Sequence, residues 1–406
     1  MSVEQIKLYL LSLDFPWDIN RLPTTAYLVG GSVRDALLQR YKTPLDLDFV
    51  LPQNTIAIAK EIANFYRAGF VVLDKEREIA RVVFPQGTLD FARQEGNSLE
   101  IDLRRRDFTI NAIAYNISSQ QLVDPLGGVQ DLQQKVLRMV SPNNLSDDPL
   151  RLLRAYRQAA QLNLTIEPNT RKAIGDRANL LSTVAAERVQ AELNYIFASS
   201  QGNKWLIAAA KDGLLNFWLP SINDKKIQQL DKVEKAIEFC HTLGLDLPEL
   251  PIFSKLATLI STEEIDAEAE LTKLKYSRSE IKAVTKTVKH LPQLQTMTQD
   301  MSLREQYFWF LDVKDIFPIL IVRAIATGVA LEFLKPAIDR YLNPQDPIAH
   351  PQSLVTGNDL IQELDLKPSP LIGKLLTEIQ VAQIESKIST RQQALDFAAS
   401  MLKTLA

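Results

Sequence analysis

Tyr27-Leu-Val-Gly-Gly-Ser-Val-Arg-Asp35, followed by Asp46-Leu-Asp48, constrains this chain more than any other stretch. An apolar strand runs into a Gly-Gly turn, a helix opens with Arg34 and Asp35, and a second strand carries two acids one residue apart. Strand side chains alternate with period two, so Asp46 and Asp48 point to one face. Their Cα atoms should lie roughly 6.5–7 Å apart, close enough for both carboxylates to grip a pair of divalent ions. Gly30 and Gly31 let the backbone turn sharply and approach a phosphate with no Cβ in the way. A phosphate cradle beside a metal-binding acid pair is the minimum apparatus for transferring a nucleotidyl group.

A chain of 406 residues is long for one core, which implies two to four domains. Residues 1–140 alternate β-like and helical runs: strands over 26–30, 46–51, 70–74, 79–84, 88–92, 111–117 and 121–124, helices over 2–13, 32–40 and 55–67. Asp124-Pro-Leu-Gly-Gly128 is a turn that closes this unit. After Ser141 the pattern is almost wholly helical, with Pro-containing breaks at 243–251 and 342–351 and a last helical unit over 355–405. The expected class is α+β: a head with a small mixed sheet (1–140), then an all-α neck (141–220), body (221–345) and tail (346–406).

Composition excludes several classes. One cysteine, Cys240, rules out an internal disulfide and suits a reducing compartment. Three histidines, none in a motif, argue against a His-rich zinc site. The apolar run Leu8–Leu13 is too short to span a membrane and is followed by Asp14 and Asp18, so it reads as the face of a first helix. A cytoplasmic protein with no membrane partner is expected. Net charge is −3, but residues 151–200 carry seven basic side chains against four acidic ones, directly after the acid-bearing part. That suits a partner making few phosphate contacts.

Three constellations carry the chemistry. The first is Asp46 and Asp48, with Asp90 in the strand Thr88–Ala92 as a third carboxylate or, alternatively, a strand-end residue bonded to backbone. The second is Arg104-Arg-Arg-Asp-Phe-Thr-Ile-Asn-Ala112. There Arg106 suits a phosphate or sugar contact and Asp107 can accept from ribose hydroxyls, unless both belong to an internal cap network with Asn111. The third is Asp147-Asp-Pro-Leu-Arg-Leu-Leu-Arg-Ala-Tyr-Arg157, read as a helix opened by an Asp cap and Pro149. Asp148 and Arg151 share one face, continued by Arg154 and Arg157. An Asp acceptor beside an Arg donor matches the Watson–Crick edges of cytosine and adenine and mismatches guanine and uracil. A salt-bridged solvated helix is the structural alternative.

In order and approximate spacing, GGSVRD, DLD, RRRDFTINA, DPLGG and DDPLRLLRAYR resemble the motifs of bacterial-type (class II) tRNA nucleotidyltransferases and their poly(A) polymerase relatives. Glu187-Arg188-x-x-x-Glu192 resembles that family's last motif, a helix supporting the nucleotide site. The resemblance implies a polymerase β-like head and template-independent addition of C, as CC or full CCA, to the tRNA 3′ end from CTP and ATP. It implies two Mg²⁺ ions on Asp46 and Asp48, phosphates held by Gly30, Gly31 and Arg34, and the ribose side held by Arg106 and Asp107. Asp148 and Arg151 would read the base, Arg154 and Arg157 would hold the triphosphate or the helix geometry, and the tail would grip the tRNA acceptor arm. Two departures stand out: Asp147 replaces the family's Glu, and only Phe91–Leu103 separates Asp90 from Arg104. That short segment resembles members that add CC and leave the terminal A to a separate enzyme. Poly(A) polymerase is the competing activity, disfavoured by a slightly acidic C-terminus; a non-catalytic RNA or nucleotide binder is disfavoured by the intact Asp46/Asp48 and Asp148/Arg151 pairs.

Overall fold

A computed structural model describes residues 3–405 apart from 14–17, 19–20, 42–43 and 297–300. Asp14 and the first residue of the expected 2–13 helix lie outside the described residues. The chain forms two compact units, Met1–Phe217 and Trp218–Ala406.

The first unit opens with α1 (Val3–Ser12), β1 (Tyr27–Val29), α2 (Gly31–Leu37), β2 (Leu45–Leu51) and α3 (Thr55–Tyr66). The strands β3 (Gly69–Asp74), β4 (Ile79–Phe84) and β5 (Gly87–Arg93) follow, then α4 (Leu99–Arg104), β6 (Ala114–Asn116), β7 (Gln121–Val123), α5 (Gly128–Gln133) and β8 (Val136–Leu137). Next come α6 (Pro142–Asp147), α7 (Leu150–Leu162), β9 (Thr165–Ile166), α8 (Pro168–Gly175), α9 (Ala186–Ala198) and α10 (Gly202–Lys211). The sheet order is β3-β4-β5-β2-β1-β6-β7, antiparallel except where β2 runs parallel to β5.

Alternation in Leu45-Asp-Leu-Asp-Phe-Val-Leu51 decides which face is buried. Leu45, Leu47, Phe49 and Leu51 are buried, with Phe49 stacked on Phe91 at 5.4 Å between ring centroids. Against that half of the sheet lies α3, which contributes buried Ala59, Ile62 and Ala63. The opposite face carries Asp46 and Asp48, then Val50, which packs with Val29, Leu103, Ala112 and Ala114. Burying such apolar side chains stabilises the unit by about 1.5–3 kcal/mol each.

Asp124 holds the expected turn by accepting from the N–H groups of Gly128 (2.8 Å) and Val129 (2.9 Å), which opens α5. The parallel ribbon β8–β9 joins residues 136–137 to 165–166, and the sheet and the helices between Ser141 and Phe217 form one unit. Two expectations are corrected here. Residues 111–117 are not all strand: a 3-10 turn, Thr109–Asn111, precedes β6. Asp147 and Asp148 do not cap α7 with a side chain, since Asp147 ends α6 and Pro149 stands at the helix entrance.

The second unit is helical throughout its described residues. One apolar cluster centres on Phe310, Phe317, Leu320 and Tyr307, another on Leu360, Leu375, Ile379 and Ala394. The helix Pro370–Ile384 opens at a proline, and Glu264–Lys273 and Arg278–Thr296 are separate helices. No helix among the described residues is long and apolar enough to cross a membrane.

Candidate active site

The Gly-Gly turn and the acid strand are locked together by one hydroxyl. Ser32 Oγ accepts from the Asp48 N–H at 3.0 Å and donates to the Asp46 carbonyl at 3.2 Å. Asp46 is exposed and Asp48 half-buried on the same face, and Thr88 Oγ1 donates to Asp46 Oδ1 at 2.6 Å. Burial, then the charges of Asp46 and Asp90, push the Asp48 carboxyl up to about 6 against the partial relief of Arg106 and Arg81. Two hard oxygen donors carrying excess negative charge fit a divalent cation such as Mg²⁺.

Asp90 stands in register beside Asp48. Its oxygens accept from Nε and Nη2 of Arg81, both at 2.7 Å, a bidentate pair across adjacent strands. The backbone-bonded alternative is corrected accordingly, since Asp90 is paired with a side chain on the adjacent strand. Among the described residues no group of three or more His, Cys, Asp or Glu side chains is placed to hold a metal.

Gly30 adopts φ +66°, and a Cβ there would come within 2.8 Å of Arg106 Nη1. Glycine is therefore favoured by the backbone, and the Arg106 guanidinium lies against the turn. Arg106 donates from Nη2 to Asp102 at 3.1 Å, while its buried Nε has no partner among the described residues. An unsatisfied buried guanidinium N–H beside a glycine turn suits a phosphate oxygen.

Asp107 follows the internal-network alternative with Asn111, and Arg34 joins the same network. The Arg34 guanidinium is buried, donating to Asp35 (3.0 Å), Asn111 (2.7 Å) and Gln158 (3.3 Å). Asp107 is buried too: one oxygen accepts from the Phe108 N–H and the Asn111 amide, both at 2.8 Å, the other from Arg154 Nε at 3.1 Å. Burial alone would raise the Asp107 carboxyl, but Arg154, Asn111 and the Phe108 amide outweigh it and hold it below the ordinary carboxylate value. Arg34 is committed to this network, whereas Asp107 also lines a cavity of about 250 Å³ with Arg106 and Arg154. Together they join the turn before α2, the 109–111 turn and α7 into one rigid block.

Asp148 and Arg151 do meet on one surface. They line a cavity of about 460 Å³ with Arg77, Glu95, Arg105, Asp147 and Arg188. A neighbouring cavity of about 250 Å³ shares Arg105, Asp148, Arg151 and Arg188 and reaches Arg106, Asp107 and Arg154. Asp148 accepts from Arg188 Nη2 at 3.1 and 3.3 Å, and Arg151 Nη1 donates to the carbonyls of Arg105 and Asn144, each at 2.9 Å. Arg157 turns away, donating to Glu192 at 2.5 Å. The helix α9 thus supports α7 through Glu192 and the segment before it through Arg188.

Four participants escaped the sequence reading. Arg81 was findable, because a two-residue turn at Pro85-Gln86 sets a register in which residue 81 faces residue 90. Asp102 could have been found as the acid three and four residues before Arg105 and Arg106. Gln158 and Ser32 carry no signal in the sequence.

Family models match three stretches: the poly(A) polymerase head domain over residues 26–138, a probable RNA- and SrmB-binding site of polymerase A over 163–226, and a putative tRNA nucleotidyltransferase domain 2 over 249–398. A CC-adding tRNA nucleotidyltransferase of Synechocystis is 48% identical, covering 97% of this chain and 98% of its own length. An A-adding tRNA nucleotidyltransferase of Deinococcus radiodurans is 32% identical, covering 92% and 95%. The Thermotoga maritima CCA-adding enzyme complexed with tRNA shares the fold, with a TM-score of 0.73 over 98% of both chains at 22% identity.

Proposed function

The chain belongs to the tRNA nucleotidyltransferase and poly(A) polymerase family, and from that premise we propose that it adds two cytidines to the 3′ end of tRNA, templated by protein alone. One observation carries this reading: Asp148 and Arg151 line a cavity continuous with Arg106, whose charge also acts on Asp48. Base reading, phosphate binding and the acid pair are thereby linked across a few side chains.

In this reading Asp46 and Asp48 hold two Mg²⁺ ions. When bound, these supply the charge that favours the attacking 3′-hydroxylate and neutralises the departing pyrophosphate. The glycine turn and Arg106 seat the triphosphate, and the orphan Nε takes one of its oxygens. Asp148 accepts the cytosine amino group in exchange for Arg188, and Arg151 donates to the ring nitrogen beside it. Arg34 and Arg157 position these groups from behind, while Asp107 and Arg154 line the smaller cavity beside Arg106. The enzyme acts in the cytoplasm, where its tRNA substrate resides, and the second unit grips the acceptor arm.

Restriction to CC rests on the loop after β5. Only Gln94–Ser98 separates β5 from α4, and it is tied down: the Glu95 N–H donates to Asp102 at 3.1 Å and its carboxylate pairs with Arg105 at 2.9 Å. Such a loop has little slack to reshape the base pocket for adenine. A tRNA lacking CCA, supplied with CTP and ATP, is therefore expected to gain two C residues and stop, leaving the A to a separate enzyme. A full CCA end would refute the restriction, and a long A tract would favour the poly(A) polymerase reading. Replacing Asp148 by Ala should cut the preference for CTP over UTP by roughly tenfold to a hundredfold, the value of one or two charge-assisted hydrogen bonds. Unchanged selectivity would mean that the base is read elsewhere.

A further inference from the structure

The acid-bearing face of the sheet extends well past the acids, and most of that extension is open. Register places Asp48, Asp90 and Arg81 in one row across β2, β5 and β4, with Val71 of β3 next. A parallel row runs Asp46, Thr88, Val83. On the opposite face of β4, Ala80, Val82 and Phe84 are buried, with α3 packed against the strand. On the acid face Val71 is 47% exposed and Val83 39%, flanking Arg81. The pair with Asp90 uses Nε and Nη2 of Arg81 and leaves Nη1 outside it.

In-line displacement needs the attacking hydroxyl and the leaving pyrophosphate on opposite sides of the phosphorus. Strand order separates those sides. Beyond β2 in one direction lies β1, leading to Gly30, against which Arg106 rests. In the other direction lie β5, β4 and β3. With the triphosphate on the glycine side, the RNA terminus must approach over β5 and β4.

We propose that the open face of β3–β4, formed by Arg81, Val71 and Val83, seats the 3′-terminal nucleotide of the tRNA primer. Arg81, steered by Asp90, contacts the last phosphodiester, and the two valines meet the terminal ribose and base. The occupant follows from three features: the surface is continuous with the acid pair, it offers one cation between apolar side chains, and it lies on the side the leaving group does not use. Asp90 is then a positioning residue that aims the guanidinium. Valine offers an apolar surface without hydrogen-bonding groups, so the terminus is held without regard to base identity, as a growing end requires.

This inference rests on the nucleotidyltransferase reading, and its test separates the two. Val71→Asp and Val83→Asp alter exposed positions, so both variants should fold. With tRNA lacking CCA and CTP as substrates, each is expected to raise the KM for tRNA by about tenfold and to leave the KM for CTP within about twofold. An Arg81→Lys variant should behave in the same way, because lysine cannot keep the bidentate pair. A tRNA carrying 4-thiouridine at its 3′ terminus should crosslink to the peptide spanning residues 69–84. Crosslinks confined to other peptides, or an unchanged KM for tRNA in all three variants, would overturn the proposal. Crosslinking needs only binding, so it tests the surface even if the unaltered enzyme extends no tRNA, the result that would sink the function reading.

Discussion

Replacing Asp48 by Asn is expected to lower C incorporation by about a thousandfold or more while tRNA binding stays within about twofold. Asparagine keeps the shape and the backbone contact to Ser32 but removes the charge that would hold a cation. The same variant should be more stable than the parent when no metal is bound. With its carboxyl at about 6 instead of 3.8, the folded protein holds the Asp48 proton more tightly than the unfolded chain does. That contribution is fully present below about pH 4 and is lost as pH rises through 6, whereas asparagine never ionises. In the presence of a chelator the variant should therefore melt at a higher temperature at pH 7, with the difference vanishing near pH 4. Thermal melts at both values, alongside a single-turnover assay, check both arms. Retained turnover, or a lower melting temperature at pH 7, would remove Asp48 from the assigned role. An Asp46→Asn variant should lose activity to the same degree.

The second large effect is expected where a motif residue is structural. Changing Asp107 to Ala removes the nearer of the two carboxylates that face Arg154, leaves the Phe108 amide without its acceptor and leaves the Asn111 amide with Gln158 alone. Breaking a buried ion pair in this way costs about 3 kcal/mol, at the low end of the usual range because Arg154 keeps about a third of its side chain in solvent. The first unit should melt roughly 10 °C lower, and removing Arg154 as well should recover part of the loss. The ion pair should also weaken as pH falls below the ordinary carboxylate range, because the folded protein holds this group ionised. A ribose-binding Asp107 would give the opposite signature, with unchanged melting and a raised KM for CTP.

Local pattern explains what was legible in the sequence. Period-two alternation marked β2, β4 and β5 to within a residue, because each buries one face against α3 or its neighbouring strands. The acids were visible as the polar half of that alternation, and Asp148 with Arg151 as neighbours on one turn. What the sequence concealed was how each charge is satisfied. Arg34 is neutralised by its neighbour Asp35 and by Asn111 and Gln158, which lie 77 and 124 positions away. Asp107 depends on Arg154 across 47 positions. A charged residue in a motif looks available until its partner is known, and partner choice is set by how α7 packs on the head. The short helix α4 was missed for a related reason: six residues carry too little periodicity to register.

Asp102 deserves a last inference. This one buried carboxylate receives the Glu95 amide, Arg105 and Arg106, so the loop after β5, the wall of the base pocket and the phosphate cradle all hang from it. Loop length and catalytic geometry are consequently not independent traits. A chain that acquired a longer segment here would have to find a new anchor for Arg106 at the same step. Gain of a second nucleotide specificity by simple insertion is thus a two-change path, and division of the work between two enzymes is a stable alternative to crossing it.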